Sequence, residues 1–168
     1  MSVGARELRP GFREHEETVL HDLEAVHKRP GMYIGDTGDG SGLHNMLFEV
    51  VDNAINEALA GHCSRVEVAL NAGGSATVRD NGRGIPTDIH PREGISAAEV
   101  IITRLHGIGA FIQGTPELPD ALHGIGLAVV NALSEVFDLH VWREGKEHFM
   151  RCRMGQPGMS DILCKRPL

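Results

Sequence analysis

The stretch LHNMLFEVVDNAINEAL, residues 43–59, decides how this chain folds. Leu43, Met46, Leu47, Val50, Val51, Ala54, Ile55, Ala58 and Leu59 recur at the i, i+3, i+4, i+7 spacing of one helix face. Gly61 follows as a stop. Such a helix needs a core to lie on. Glu49 and Asn53 are four residues apart, so they stack on one face. Asn53 falls at the margin of the apolar stripe, near the direction of Met46, and Glu49 lies one step further out. Asp52 and Asn56 point more outward. A carboxylate beside a cleft can activate a water, and an amide oxygen can hold a hard cation such as Mg²⁺. On this helix alone an ordinary solvated flank accounts for both residues equally well.

Upstream, residues 1–17 lack periodicity and read as an arm. TVLHDLEAVHKRP, 18–30, places Val19, Leu20, Leu23 and Val26 at helical spacing, with Thr18 as N-cap and Pro30-Gly31 as a stop. MYIG then leads into the turn-rich DTGDGSG. Downstream, RVEVAL (65–70) and SATVRD (75–80) alternate, joined by NAGG as a hairpin turn. NGRGIP, 81–86, reads as a loop and ISAAEVIITRLHG, 95–107, as a second core helix. Residues 108–121 read as a long loop, and LHGIGLAVVNALSEV, 122–136, as a third helix opening on glycines. FDLHVW and EHFMRCRM form a hairpin around REGK, with Met150, Cys152 and Met154 on one face of the second strand. The last stretch, 156–168, carries no strand pattern and reads as an irregular tail.

Helices mixed with antiparallel hairpins, without regular βαβ alternation, predict an α+β fold: a two-layer sandwich with helices on one face of a mixed β-sheet. The 168 residues suffice for one domain with a core. Hydrophobic content of 41% and charged content of 23% are those of a globular protein. A formal net charge of −7 argues against strong DNA binding by this chain alone. Cys63, Cys152 and Cys164 are scattered without a CxxC pair, which suggests neither a disulfide framework nor a zinc site and points to reduced, buried thiols in a cytosolic protein. No apolar run is long enough to span a bilayer and no signal peptide is apparent.

Two further features bear on chemistry. Asp80 ends a strand and precedes NGRGIP; the glycines let a flat ring approach while the carboxylate accepts from an exocyclic amine. Taken alone, the same pattern suits a glycine-rich turn with Asp as turn former. LHGIG puts two glycines at a helix mouth, where free N–H groups and the helix dipole suit phosphates. It is neither a Walker A loop nor a dinucleotide fingerprint. Water activator, metal ligand, amine acceptor and phosphate cradle together match an adenine nucleotide.

The stretches KRPGMYIGDT, GLHNMLFEVVDNAINEALAGH, DNGRGIPTDIHPREGISAAEVI and LHGIGLAVVNALS carry a resemblance to the ATP-binding domains of the GHKL group. That group includes chaperone ATPases, mismatch-repair ATPases and histidine kinases; the longer matches point to its gyrase B and topoisomerase IV branch. The resemblance spans most of residues 18–145, within a domain expected over 18–155. It implies Mg-ATP binding that drives DNA strand passage in a full topoisomerase assembly. By it, Glu49 would be the general base and Asn53 the Mg²⁺ ligand. Asp80 would accept from the adenine amine, Gly84 would let the base lie close, and Arg83 and Pro86 would wall the pocket. Ile85 and Ile101 would pack on the ring. Gly124 and Gly126 would present N–H groups to the phosphates, with Leu122, His123 and Ile125 in the same cradle. Arg143 would stand at the rim where aminocoumarin inhibitors bind. Tyr33 and the N-terminal arm would contribute to a nucleotide-closed homodimer.

The sequence departs from the family in the lid, 107–121. GIGAFIQGTPELPDA has no Lys, Arg or Tyr: Ala110 and Glu117 stand where lysines are expected, Pro116 where a tyrosine is expected, and Asp120-Ala121 where a glycine pair is expected. Losing cations beside a triphosphate removes favourable electrostatics. In the family a threonine-bearing strand and a transducer domain follow beyond position 168. The alternative to an ATPase is therefore a truncated or engineered module that binds nucleotide or inhibitor without turnover.

Overall fold

The computed structural model of the chain describes residues 21–91, 93–105 and 125–164, and for 159–164 the backbone alone. The expected arm, the Thr18 cap, Val19, Leu20, the lid and the cradle residues Leu122, His123 and Gly124 lie outside the described residues.

The elements run α1 (21–28), α2 (Gly31–Ile34), α3 (Ser41–Leu59), β1 (Val66–Leu70), β2 (Ala76–Asp80), α4 (Ala97–Thr103), α5 (Gly126–Leu133), β3 (Phe137–Arg143), β4 (Lys146–Arg153) and β5 (Gln156–Cys164). The short α2 directly after Pro30 carried no assignment in the sequence. Every ladder among the described residues is antiparallel. β1 pairs with β2, and β3, β4 and β5 form a three-stranded sheet, where the sequence suggested one mixed sheet.

Tight turns set the second sheet. Glu144 and Gly145 both have positive φ (52° and 73°), as do Met154 and Gly155 (49° and 80°). Two consecutive left-handed residues make the twisted two-residue turn that suits a hairpin. The second turn corrects the expected irregular tail at 156–168: residues 156–164 are β5, paired antiparallel to β4. Pro157, Gly158 and Ser160 dilute its strand propensity, so pairing to β4 rather than local preference defines it.

The core has two centres. Leu23 and Val26 of α1 meet Ile34, Leu105 and the α5 residues Ala128, Val129 and Ala132. Ile101 and Ile102 of α4 meet Leu127, Met150 and Cys152, with Val50, Ile85, Phe137 and Leu139 packed around them. α4 begins at Ser96, whose hydroxyl accepts from the Glu99 N–H at 3.1 Å. Fully buried Asn131 joins the layers, its Nδ2 donating to Ile102 O at 2.7 Å and Gly155 O at 3.2 Å.

The stripe on α3 is buried less than its periodicity predicts. Ala54 is buried, while Leu43 and Leu59 are 70% and 81% exposed and Ile55 is also exposed. Nine apolar positions make a stripe wider than the surface that α2, α5 and the β1–β2 hairpin offer it.

Candidate functional site

α3 carries the site along its length. Near its middle, half-buried Glu49 lies against the first residue of α5. A Cβ built on Gly126 would stand 2.9 Å from the Glu49 carboxyl carbon and 3.1 Å from its Cβ, and closer still to Oε2. Only glycine lets the carboxylate reach the helix mouth this closely. Ile125 precedes it as the N-cap position and packs on the first core centre. One turn along α3, Asn53 donates from Nδ2 to Glu49 O at 2.7 Å. That bond orients the amide and leaves Oδ1 without a hydrogen bond among the described residues.

A further turn along, Glu57 holds the loop after β2. It accepts from the Arg83 backbone N–H at 2.9 Å, from Nε at 2.8 Å and from Nη2 at 3.1 Å. The guanidinium hydrogen bonds hold the Glu57 carboxyl below its ordinary range, against the opposing effect of burial. Sequence reasoning passed over Glu57 as one more helix polar. Its signal was the spacing: 49, 53 and 57 fall on one face at successive i+4 steps. Eight residues of helix separate Glu49 from Glu57 by about 12 Å.

The loop itself is built around glycine. Asp80 Oδ1 accepts from the Gly82 N–H at 2.8 Å, closing a local turn, while Oδ2 makes no hydrogen bond among the described residues. A Cβ on Gly82 would stand 2.9 Å from Asp80 Oδ1 and would collide with Glu57 Cγ. Gly84 has φ +73°, and a Cβ there would stand 2.8 Å from Val141 Cγ1. Arg143 reaches from the end of β3 to donate from Nη1 to Gly84 O at 3.0 Å. Half-buried Ile85 packs with Val50 against the centre that contains Ile101, forming an apolar wall, and Pro86 follows, also half-buried.

The arrangement therefore sets a carboxylate at a helix mouth, an oriented amide one helical turn along from it, and an exposed carboxylate on a glycine loop that also carries Ile85 of the apolar wall. The sequence matches the model of the histidine kinase-, DNA gyrase B- and HSP90-like ATPases over residues 38–158.

The chain belongs to this ATPase family.

Within it the chain is 63% identical over 137 residues to the DNA gyrase B protein of Rickettsia prowazekii, covering 82% of this chain and 17% of that protein. It is 61% identical over 137 residues to the gyrase B protein of Caulobacter vibrioides, again 82% of this chain and 17% of the relative. The chain thus spans about one sixth of the length of these curated relatives. Its fold is similar to the crystal structure of the 43K ATPase domain of Thermus thermophilus gyrase B in complex with an aminocoumarin. That match has a TM-score of 0.76 at 43% identity and covers 90% of this chain and 37% of the other. The α+β architecture expected from the sequence is that of the family.

Proposed function

We propose that this chain is the nucleotide-binding part of a gyrase B-type topoisomerase subunit and binds Mg-ATP along α3. The observation that carries this reading is the contact of Glu49 with Gly126, which sets a carboxylate against a helix mouth suited to phosphates. Asp80 Oδ2 and the glycine loop offer an acceptor and open backbone for the adenine amine and ring, with Ile85 and Ile101 beneath it. Arg83 and Pro86 flank the base. Ile125 stands beside Gly126 at that mouth, and His123 and Gly124, which lie outside the described residues, are assigned to the phosphate cradle by resemblance alone.

The residues fit a magnesium ion held chiefly by phosphate oxygens. Asn53 supplies one oriented amide oxygen, and among the described residues no group of three His, Cys, Asp or Glu gathers into a metal cage. This donor set suits Mg²⁺, which keeps waters and substrate phosphates as ligands. Bound there, the ion would neutralise charge on the phosphates. Glu49 takes a proton from the attacking water, and the resulting nucleophile displaces ADP from the γ-phosphoryl group.

By this reading DNA is engaged only in the full assembly, in the cytoplasm. Arg143 stands at a rim that accommodates aminocoumarins, and exposed Tyr33 with the N-terminal arm closes a nucleotide-dependent homodimer. A second reading, a binding module without turnover, is favoured by the absence of Lys, Arg and Tyr from 107–121. Restoring lysines with Ala110→Lys and Glu117→Lys separates the two when a transducer domain is supplied. Turnover gained supports the ATPase, and turnover still undetectable supports the module. A thermal-shift series with a non-hydrolysable ATP analogue, Mg²⁺ and an aminocoumarin tests ligand binding itself. Ligand bound only by the folded state raises the midpoint, and a midpoint unmoved by all three refutes both readings.

A further inference from the structure

The β1–β2 hairpin that carries Asp80 is a two-stranded sheet, separate from the ladder of β3, β4 and β5. Two strands alone are marginal, and β1 and β2 are mostly exposed along their length. The end of β2 is tied back by Asn81, whose Oδ1 accepts from the Ser64 and Arg65 N–H groups at 2.9 and 3.0 Å, and to α3 by the Glu57–Arg83 clamp; what orients it towards the second sheet is the lateral contact with β3.

Arg79, immediately before Asp80, lies with its guanidinium carbon 5.4 Å from the ring centroid of Trp142 on β3. Its cross-strand partner Glu67 is engaged instead by Arg65. The indole is itself braced. His140 stacks on it at 5.7 Å with a 15° interplanar angle, and is itself held by Glu147 at 3.0 Å and by the Phe149 ring at 4.7 Å. The backbone of the same residue also acts on the loop, because Trp142 O lies 3.4 Å from where a Gly84 Cβ would stand, and Arg143 binds Gly84 O. β3 thus grips the Asp80 segment on both sides, at Arg79 and at Gly84.

We propose that Trp142, through Arg79, is a positioning residue that aims the Asp80 carboxylate at the exocyclic amine of the base. This rests on the adenine-site reading given above. Loss of Trp142 acts on discrimination for the amine rather than on phosphate binding.

The test titrates the full chain, with Mg²⁺, against a non-hydrolysable ATP analogue and its purine counterpart lacking the 6-amino group. The wild type prefers the adenine form. In Trp142→Leu and in Arg79→Gln the preference falls by roughly twofold to fivefold, the range expected for an exposed cation–π pair. Affinity for the amine-less analogue is kept. Trp142→Phe retains most of the preference, and the double variant loses no more than either single one. Equal weakening of both nucleotides, or an unchanged preference, overturns the positioning role and leaves Trp142 as packing. A wild type that binds neither nucleotide overturns the adenine-site reading, and this inference with it. Arg79 is exposed, so Arg79→Gln reports even if Trp142→Leu fails to fold.

Discussion

Arg83 grips Glu57, 26 residues earlier in the chain, with its backbone N–H and two guanidinium nitrogens at 2.8–3.1 Å. This clamp ties the glycine loop after β2 to the helix that carries Glu49 and Asn53. Glu57→Gln removes the charge while keeping the shape. The expected cost is about 0.5–1 kcal/mol, because Arg83 is half exposed and solvent screens the pair. The depressed Glu57 pKa gives a signed pH effect. Its contribution is present above the ordinary value of 4.5 and fades as pH falls through the lower folded value. Chemical denaturation from pH 7 down to 3 should show the wild type losing this increment below about pH 4.5 and the variant showing none of that loss.

Gly126→Ala drives a methyl group into the Glu49 carboxylate. An overpacking cost of about 1–3 kcal/mol is expected. Adding Glu49→Ala should recover most of it, because the colliding oxygen is gone. Urea melts of the two single variants and the double complete the cycle. Strict additivity would show that the two residues do not meet.

Gly84→Ala combines an unfavourable positive φ with crowding against Val141. The two effects together predict about 2–4 kcal/mol of destabilisation. A midpoint within a degree of wild type would mean that the loop runs elsewhere.

Cys152 is fully buried, and burial pushes its thiol from 9.0 up to about 11. The folded state therefore holds this proton more tightly than the unfolded state. The associated stability is complete below pH 9 and is lost as pH rises towards 11. Site-resolved alkylation at pH 8 should label partly exposed Cys63 in the native chain and reach Cys152 only in denaturant. Equal native labelling of both would contradict the packing of β4 on α4 and α5.

Much of the fold was legible because several segments carry strong local signals. The α3 periodicity and the two hairpin turns predicted elements that the structure places within a few residues. Ile85 and Ile101, paired by resemblance, do share one apolar centre. What was not legible depends on partners distant in sequence. β5 is a strand because β4 offers it an edge, although Pro157 and Gly158 weaken its own preference. The burial of Leu43, Ile55 and Leu59 was overestimated, because periodicity tells which residues share a face and not how much of that face is covered. Glu57 and Trp142 escaped notice for a related reason. Each acts through an arginine on another strand or loop, and neither stands in a motif of its own.

The most direct test of nucleotide binding along α3 is a calorimetric titration of the chain with a non-hydrolysable ATP analogue and Mg²⁺. It is repeated on Asp80→Ala and Glu49→Ala. Saturable binding in the wild type is predicted, with strong weakening in Asp80→Ala and near-wild-type affinity in Glu49→Ala, whose carboxylate serves the water rather than the base. No binding at millimolar nucleotide, or binding unaffected by Asp80→Ala, would contradict it.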